Sequence, residues 1–269
     1  MVIKLTELHA THDEYPVQIT SFGELSVRIH GEFVDVQTWK SPRVYQLLLL
    51  IVAAGGRNIP THYICDTMWA NQDADQAMQN LEFILRRLRQ TLQKHLSDNL
   101  KANQVILLQH GKISLNPMYC HIDTWHLDNH IKQAKSLHLD GSHAQAHSIE
   151  QQALHMIHGG FLSGESESIV SGYRHAWHTR ICNWINETAS LWQKQHLDHH
   201  KIISLLDAGL EIDPYSERLL CQRMYILQQE GYSNDAIRYY QDWASLLLQT
   251  FGLKPSPIAK EAYQSILNQ

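Results

Sequence analysis

The sequence predicts a mainly α-helical protein with a small β portion, built in two parts. Two observations carry this. Short alternating apolar segments occur only at 17–36 and 105–115, and from His121 onward the chain shows helical stretches separated by short turns. The 269 residues exceed the roughly 100–200 of a single domain. The boundary is expected near Pro117: an extension at 1–15, a first domain at 16–117 and a second at 118–269.

Composition excludes several classes. Apolar residues make up 43% and charged ones 18%, enough to bury real cores. The longest apolar run, 47–54, falls far short of the roughly 20 residues of a spanning helix, so no membrane is expected. The amino terminus has no apolar run followed by small residues, so no secretory signal is read. Cys65, Cys120, Cys182 and Cys221 form no CxxC pair, which points to reduced thiols and a cytoplasmic protein. Residues 1–120 are neutral overall, with 11 basic and 11 acidic residues; 121–269 hold 11 and 16, the whole of the net −5. The molecule is no basic nucleic-acid coat.

Val17, Ile19, Leu25, Val27 and Ile29 alternate with polar neighbours, and Gly23 and Gly31 sit where turns fall. Ser41 before Pro42 predicts an N-capped helix through Tyr45 and 47–50, stopped at Gly55-Gly56. Thr61 is read as the cap of a short second helix reaching Met68-Trp69. A third starts at Asp73 or Asp75 and runs to about His95. VILLQ (105–109), the His110-Gly111 turn and KISL (112–115) form a hairpin. Strands, three helices with a tight second-to-third connection, and a closing hairpin spell a winged helix-turn-helix.

The third helix is the informative one. At about 100° per residue, Leu81, Ile84, Leu85, Leu88 and Leu92 share one stripe. The opposite face carries Gln76, Gln79, Phe83, Arg86, Arg87, Gln90 and Lys94. Arg89 and Glu82 lie on the flank, where Glu82 can pair with Arg86. Glutamine and arginine read adenine and guanine edges in the major groove. A solvated helix face is the plain alternative; Phe83 counts against it, because an aromatic amid polar residues needs something to cover it.

FGELSV (22–27), Trp39 with SPR (41–43), LLLLIVAAGG (47–56), MW (68–69) and AMQNLEFILRRLRQTL (77–92) resemble the OmpR-type winged helix. More narrowly, they resemble the amino-terminal half of the activators of actinomycete antibiotic pathways. The resemblance implies that Gln79, Phe83 and Arg87 face bases. Arg86 and Arg89 would hold phosphates, with Gln76, Asn80, Gln90 and Lys94 at phosphates or on the flank. The wing, His110, Gly111 and Lys112, would reach the minor groove, although it lacks the aromatic and arginine usual there. The connection 71–76, with Asn71, Gln72, Asp73 and Asp75, would touch RNA polymerase.

Seven helical stretches are expected in the second part: 125–139, 142–158, 168–195, 199–211, 216–230, 233–251 and 256–267. LEIDP (210–214), GYSNDAI (231–237) and YY (239–240) look like tetratricopeptide-type repeats, whose helix pairs must stack to bury their faces. Asp123, ALHMIHGGFL (153–162), GYRHAWHTR (172–180), LEIDPYSERLL (210–220), GYSNDAIRYYQ (231–241) and FGLKPSP (251–257) resemble the bacterial transcriptional activator domain. The two resemblances together imply a transcriptional activator that binds promoter direct repeats as a homodimer and recruits RNA polymerase, with its sigma subunit as a possible contact. No receiver or ATPase motif precedes the winged helix, so any signal is expected through the repeat domain, expression level or a separate protein. The alternative is an adaptor whose helical surface docks a protein and whose winged helix is structural.

Other chemistry is weighed down by spacing. His126/His130, His143/His147 and His196/His200 look like i,i+4 pairs, but zinc needs three or four ligands, and surface histidine is the better reading. No metal or cofactor is expected. Trp125, Trp177, Trp184, Trp192 and Trp243 are read as packing between helices rather than as a ligand cage. Phosphate-binding and nucleophile motifs are missing, so no enzyme is expected.

Overall fold

The computed structural model describes residues 15–36, 39, 41–166 and 168–268. All but the last residue of the expected 1–15 extension lies outside them. The protein is mainly helical with a small β portion, and it divides into two compact units, 1–174 and 175–269.

In the first unit, β1 (Val17–Thr20) pairs antiparallel with β2 (Ser26–Ile29), and β2 with β3 (Glu32–Val34). Val17, Ile19, Val27 and Ile29 are buried, so the alternation seen in sequence is the alternation of inward side chains. The sheet has a fourth strand that the sequence did not predict. β7 (Cys120–Ile122) lies parallel to β1, giving the order β3-β2-β1-β7. At three residues it is too short for its own periodicity to show.

Helix α1 (Pro42–Ala53) follows Ser41 at the N-cap and Pro42 inside it, but the Ser41 side chain makes no capping bond. Residues 47–53 are all buried, which is why the second half of α1 is apolar on every side. Gly56 is left-handed at φ 68°, and a Cβ there would come within 2.7 Å of Ile122 Cδ1 and 3.1 Å of Trp125 Cζ2. Chain direction and close packing both demand glycine at that position.

A short β4 (Ile59–Pro60) leads into α2 (Thr61–Met68). Thr61 is the first helical residue rather than the cap. Pro60 holds the cap position, and the Thr61 N–H donates to the Gly111 carbonyl at 2.8 Å. Helix α3 (Ala74–Gln93) starts after Asp73, and a short α4 (Ala102–Val105) precedes the hairpin. The hairpin pairs β5 (Ile106–Gln109) with β6 (Lys112–Leu115), and β4 completes a sheet in the order β4-β6-β5. His110 and Gly111 turn it with φ 50° and 69°, the positive values that a two-residue hairpin turn needs.

The first unit runs well past residue 117. Helices α5 (Asp123–Leu139) and α6 (His143–Met156) form a hairpin turned at Gly141, φ 76°. Beyond α6 the chain returns to the β1–β2 link. Gly23 N–H donates to Gly160 O at 2.7 Å, Leu162 N–H to Ser21 O at 2.7 Å, and Phe22 meets Phe161 edge-on at 5.9 Å. Asp123, 7% exposed, accepts from the Ser21 and Phe22 N–H groups at 2.6 and 2.8 Å and from the Ser21 hydroxyl at 2.5 Å. These long-range ties join residues 120–166 to the amino-terminal sheet, and the compact units part inside α7 (Ser168–Lys194).

The second unit holds α8 (His199–Ile212), α9 (Glu217–Gln229), α10 (Ser233–Phe251) and α11 (Pro257–Leu267). Leu220, Met224, Ala236, Tyr240, Trp243, Ala259 and Ile266 form its core. Gly209 lets helices close up, since a Cβ there would lie 2.6 Å from Leu219 Cδ1 and 3.2 Å from Ile185 Cδ1. Trp184, Trp192 and Trp243 are buried in this unit, and Trp243 Nε1 donates to Pro214 O at 3.0 Å. Trp125 packs in the first unit and donates to Gly55 O at 2.8 Å. Trp177 is half-buried, with Arg180 over its ring at 4.9 Å.

Candidate nucleic-acid interface

Helix α3 has two faces with different duties. Ala77, Leu81, Ile84, Leu85, Leu88 and Leu92 are buried and anchor it. Burying such a stripe at about 25 cal/mol per Å² of apolar surface fixes which side looks outward. Gln76, Gln79, Phe83, Arg86, Gln90 and Lys94 are exposed, with Arg87 and Asn80 half-buried beside them.

Phe83 stays 47% exposed between two guanidinium groups. Arg86 and Arg87 lie over its ring, 5.4 and 5.7 Å from the centroid. Cation–π contact holds both guanidinium groups over the ring. The expected Glu82–Arg86 ion pair does not form; Arg86 turns to the ring instead. Asn80 Nδ2 donates to Gln72 Oε1 at 2.7 Å, which ties the helix to the loop before it.

Arg89 departs from its sequence-based assignment. Its Nε and Nη2 donate to the Ile106 carbonyl at 3.2 and 2.7 Å. Partial burial lowers its pKa from the ordinary arginine value, although a guanidinium stays charged. Arg89 therefore fixes the first wing strand to α3 rather than reaching outward. Lying on the flank of the helical wheel, it could turn either way, and periodicity could not decide.

The connection between α2 and α3 is shorter than 71–76. Asn71, Gln72 and Asp73 are exposed loop residues, whereas Asp75 and Gln76 belong to the first turn of α3. Asp75 there complements the positive end of the helix dipole. His110, Gly111 and Lys112 are exposed at the wing tip.

One feature escaped the sequence. A groove of about 480 Å³ runs between the start of α1 and the outer flank of α3, lined by Trp39, Ser41, Val44, Arg87, Gln90, Thr91, Lys94 and His95. Its Arg87 comes from α3, its Lys94 from the α3 C-cap and its Ser41 from the α1 N-cap. Only tertiary packing brings them together.

Histidine pairing also changes. His126/His130 and His143/His147 share helices, but His196 sits in the turn before α8 with φ 55°, so His196 and His200 do not share a helical face. Asp198 caps α8 by accepting from the His200 N–H at 2.8 Å.

The fold and this outward face define a winged helix-turn-helix followed by a tetratricopeptide-like helical domain. Residues 122–267 match the family described as bacterial transcriptional activator domain, and the chain belongs to that family. It is a family of transcriptional regulators, not of enzymes. Mycobacterium tuberculosis EmbR, solved in complex with a low affinity phosphopeptide, superposes on 95% of the chain with a TM-score of 0.69 at 18% identity. The chain spans 66% of that protein, just under two thirds. No curated protein matches the sequence. Among the described residues, no helix is long and apolar enough to cross a membrane.

Proposed function

We propose that the protein is a DNA-binding transcriptional activator of the actinomycete antibiotic-regulator type, with an OmpR-type winged helix that reads promoter DNA through α3. The observation that carries this is the exposed row Gln76, Gln79, Phe83, Arg86, Gln90 and Lys94, held outward by a fully buried leucine stripe. Gln79 and Arg87 face base edges, and Phe83 offers an apolar contact for a thymine methyl. Arg86, Gln90 and Lys94 hold backbone phosphates, with Gln76 and Asn80 on the flank. The groove between α1 and α3, lined by Gln90 and Lys94, seats one such phosphate. His110, Gly111 and Lys112 follow the adjacent minor groove.

Arg89 contributes indirectly, by fixing the wing. The protein works as a homodimer on direct repeats and recruits RNA polymerase, its sigma subunit included, through Asn71, Gln72 and Asp73 with Asp75 beside them. Such a protein acts in the cytoplasm, where the chromosome lies.

The test is binding-site selection from random duplexes with the purified chain, followed by gel shifts on the selected sequence. Arg87→Ala is expected to relax the preference at about one base pair, costing ~1–3 kcal/mol on the cognate site. If selection enriches no duplex and Arg87→Ala changes nothing, the adaptor reading replaces this one.

A further inference from the structure

Outside the α3 face, the strongest convergence of chemistry-bearing side chains lies in the α5–α6 hairpin. His138 sits in the last turn of α5, and His147 and Glu150 lie one turn apart on α6. One ligand atom from each of these three lies within 4.8 Å of the others. The His138 Nε2 to Glu150 Oε1 distance is 2.9 Å, and the His138 and His147 rings stand 5.5 Å apart. His143 joins from behind, with its Nδ1 3.1 Å from His138 Nδ1.

Glu150 is only 3% exposed and the His138 side chain 8%. Glu150 is paired with His138 there, and a cation shared by the two would meet a carboxylate shielded from water. We infer that the hairpin binds one divalent first-row cation, zinc by its donor set, through His138 Nε2, His147 and Glu150. Two imidazoles and a carboxylate, with a fourth position left for water, make a familiar zinc donor set. Such a mixed nitrogen and oxygen set suits zinc better than calcium or magnesium, which take oxygen ligands.

Zinc bonds of about 2.0–2.1 Å put tetrahedral ligands roughly 3.4 Å apart. The donors therefore need side-chain rotation only, with the 2.9 Å pair opening and the widest pair closing. His143 is not a ligand in this scheme. Bonded to the far nitrogen of His138, it fixes the ring's tautomer and aim, as outer-shell partners of metal-bound histidines do. The ion would clamp the end of α5 to α6 and stabilise the folded chain by mass action. None of this depends on the DNA reading of α3.

The sequence contains the signal in part. His143, His147 and Glu150 recur at helical spacing on α6, but His138 reaches them only across the Gly141 turn.

The experiment is a zinc titration of the chelator-treated chain by calorimetry, with Co²⁺ as a spectroscopic probe and thermal unfolding as a second readout. The expected result is one equivalent of zinc, tetrahedral Co²⁺ absorption and a raised unfolding midpoint. His138→Ala, His147→Ala and Glu150→Gln should each lose the site. His143→Ala should weaken it about tenfold. A His126→Ala/His130→Ala control should leave it intact. Circular dichroism checks that each variant folds, and Glu150→Gln, close in shape, serves if the alanines do not. Failure of the parent chain to bind zinc, or binding that persists unchanged in folded Glu150→Gln and His147→Ala, overturns the inference.

Discussion

The two compact units are held together by different means. The second is a local, periodic object: α9, α10 and α11 bury Leu220, Met224, Tyr240, Trp243 and Ile266 against one another, with neighbours in sequence as neighbours in space. The first is stitched by polar ties between distant residues. Asp123 holds the β1–β2 link at Ser21 and Phe22, about a hundred residues away. Arg174 donates to the carbonyls of Phe161, Leu162 and Glu165. Arg89 holds Ile106. Apolar packing makes a repeat array. Buried hydrogen bonds, which cost dearly when broken, fix the loops that aim a working surface.

Four substitutions sharpen this contrast, from the largest effect to the smallest. Trp243→Ala should cost about 3–5 kcal/mol by chemical denaturation, because it leaves a cavity and strips Pro214 O of its donor. Hydrogen exchange should show the lost protection concentrated in α9 to α11. Asp123→Ala should cost about 3 kcal/mol, since it orphans buried donors of Ser21 and Phe22. Its exchange should rise at residues 20–23 and 160–163; a loss limited to α5 would contradict the stitching role. Arg89→Ala should cost about 1–2 kcal/mol and weaken binding to all duplexes alike, through a loosened wing. Arg238→Ala breaks only an exposed pair with Asp235 in α10 and should stay within about 0.5 kcal/mol.

The same contrast explains what the sequence could and could not reveal. The helices of the second part were legible because glycine or proline turns (Gly141, Pro214, Gly231, Pro255) separate them, and α10 falls at 233–251 as expected. The leucine stripe of α3 and the exposure of Gln79, Phe83 and Arg86 were legible for the same reason. What stayed hidden is non-local. β7 has no pattern of its own and exists because β1 offers a free edge. The first compact unit takes in the helices beyond 117 because Asp123 and 159–162 bond back to the β1–β2 link. Arg89 was ambiguous on the wheel, and Ile106 settled its direction. Glu150 went unnoticed beside His143 and His147 because its partner His138 lies on another helix.

The central claim is that the outward side of α3 meets a DNA backbone, and salt dependence tests it most directly. Affinity for a selected duplex should be measured across a salt series for the parent chain and for Arg86→Ala/Lys94→Ala. The log–log slope should become shallower by roughly two in the double variant, about one per phosphate contact removed. An unchanged slope, with binding intact, would show that the duplex lies against some other surface.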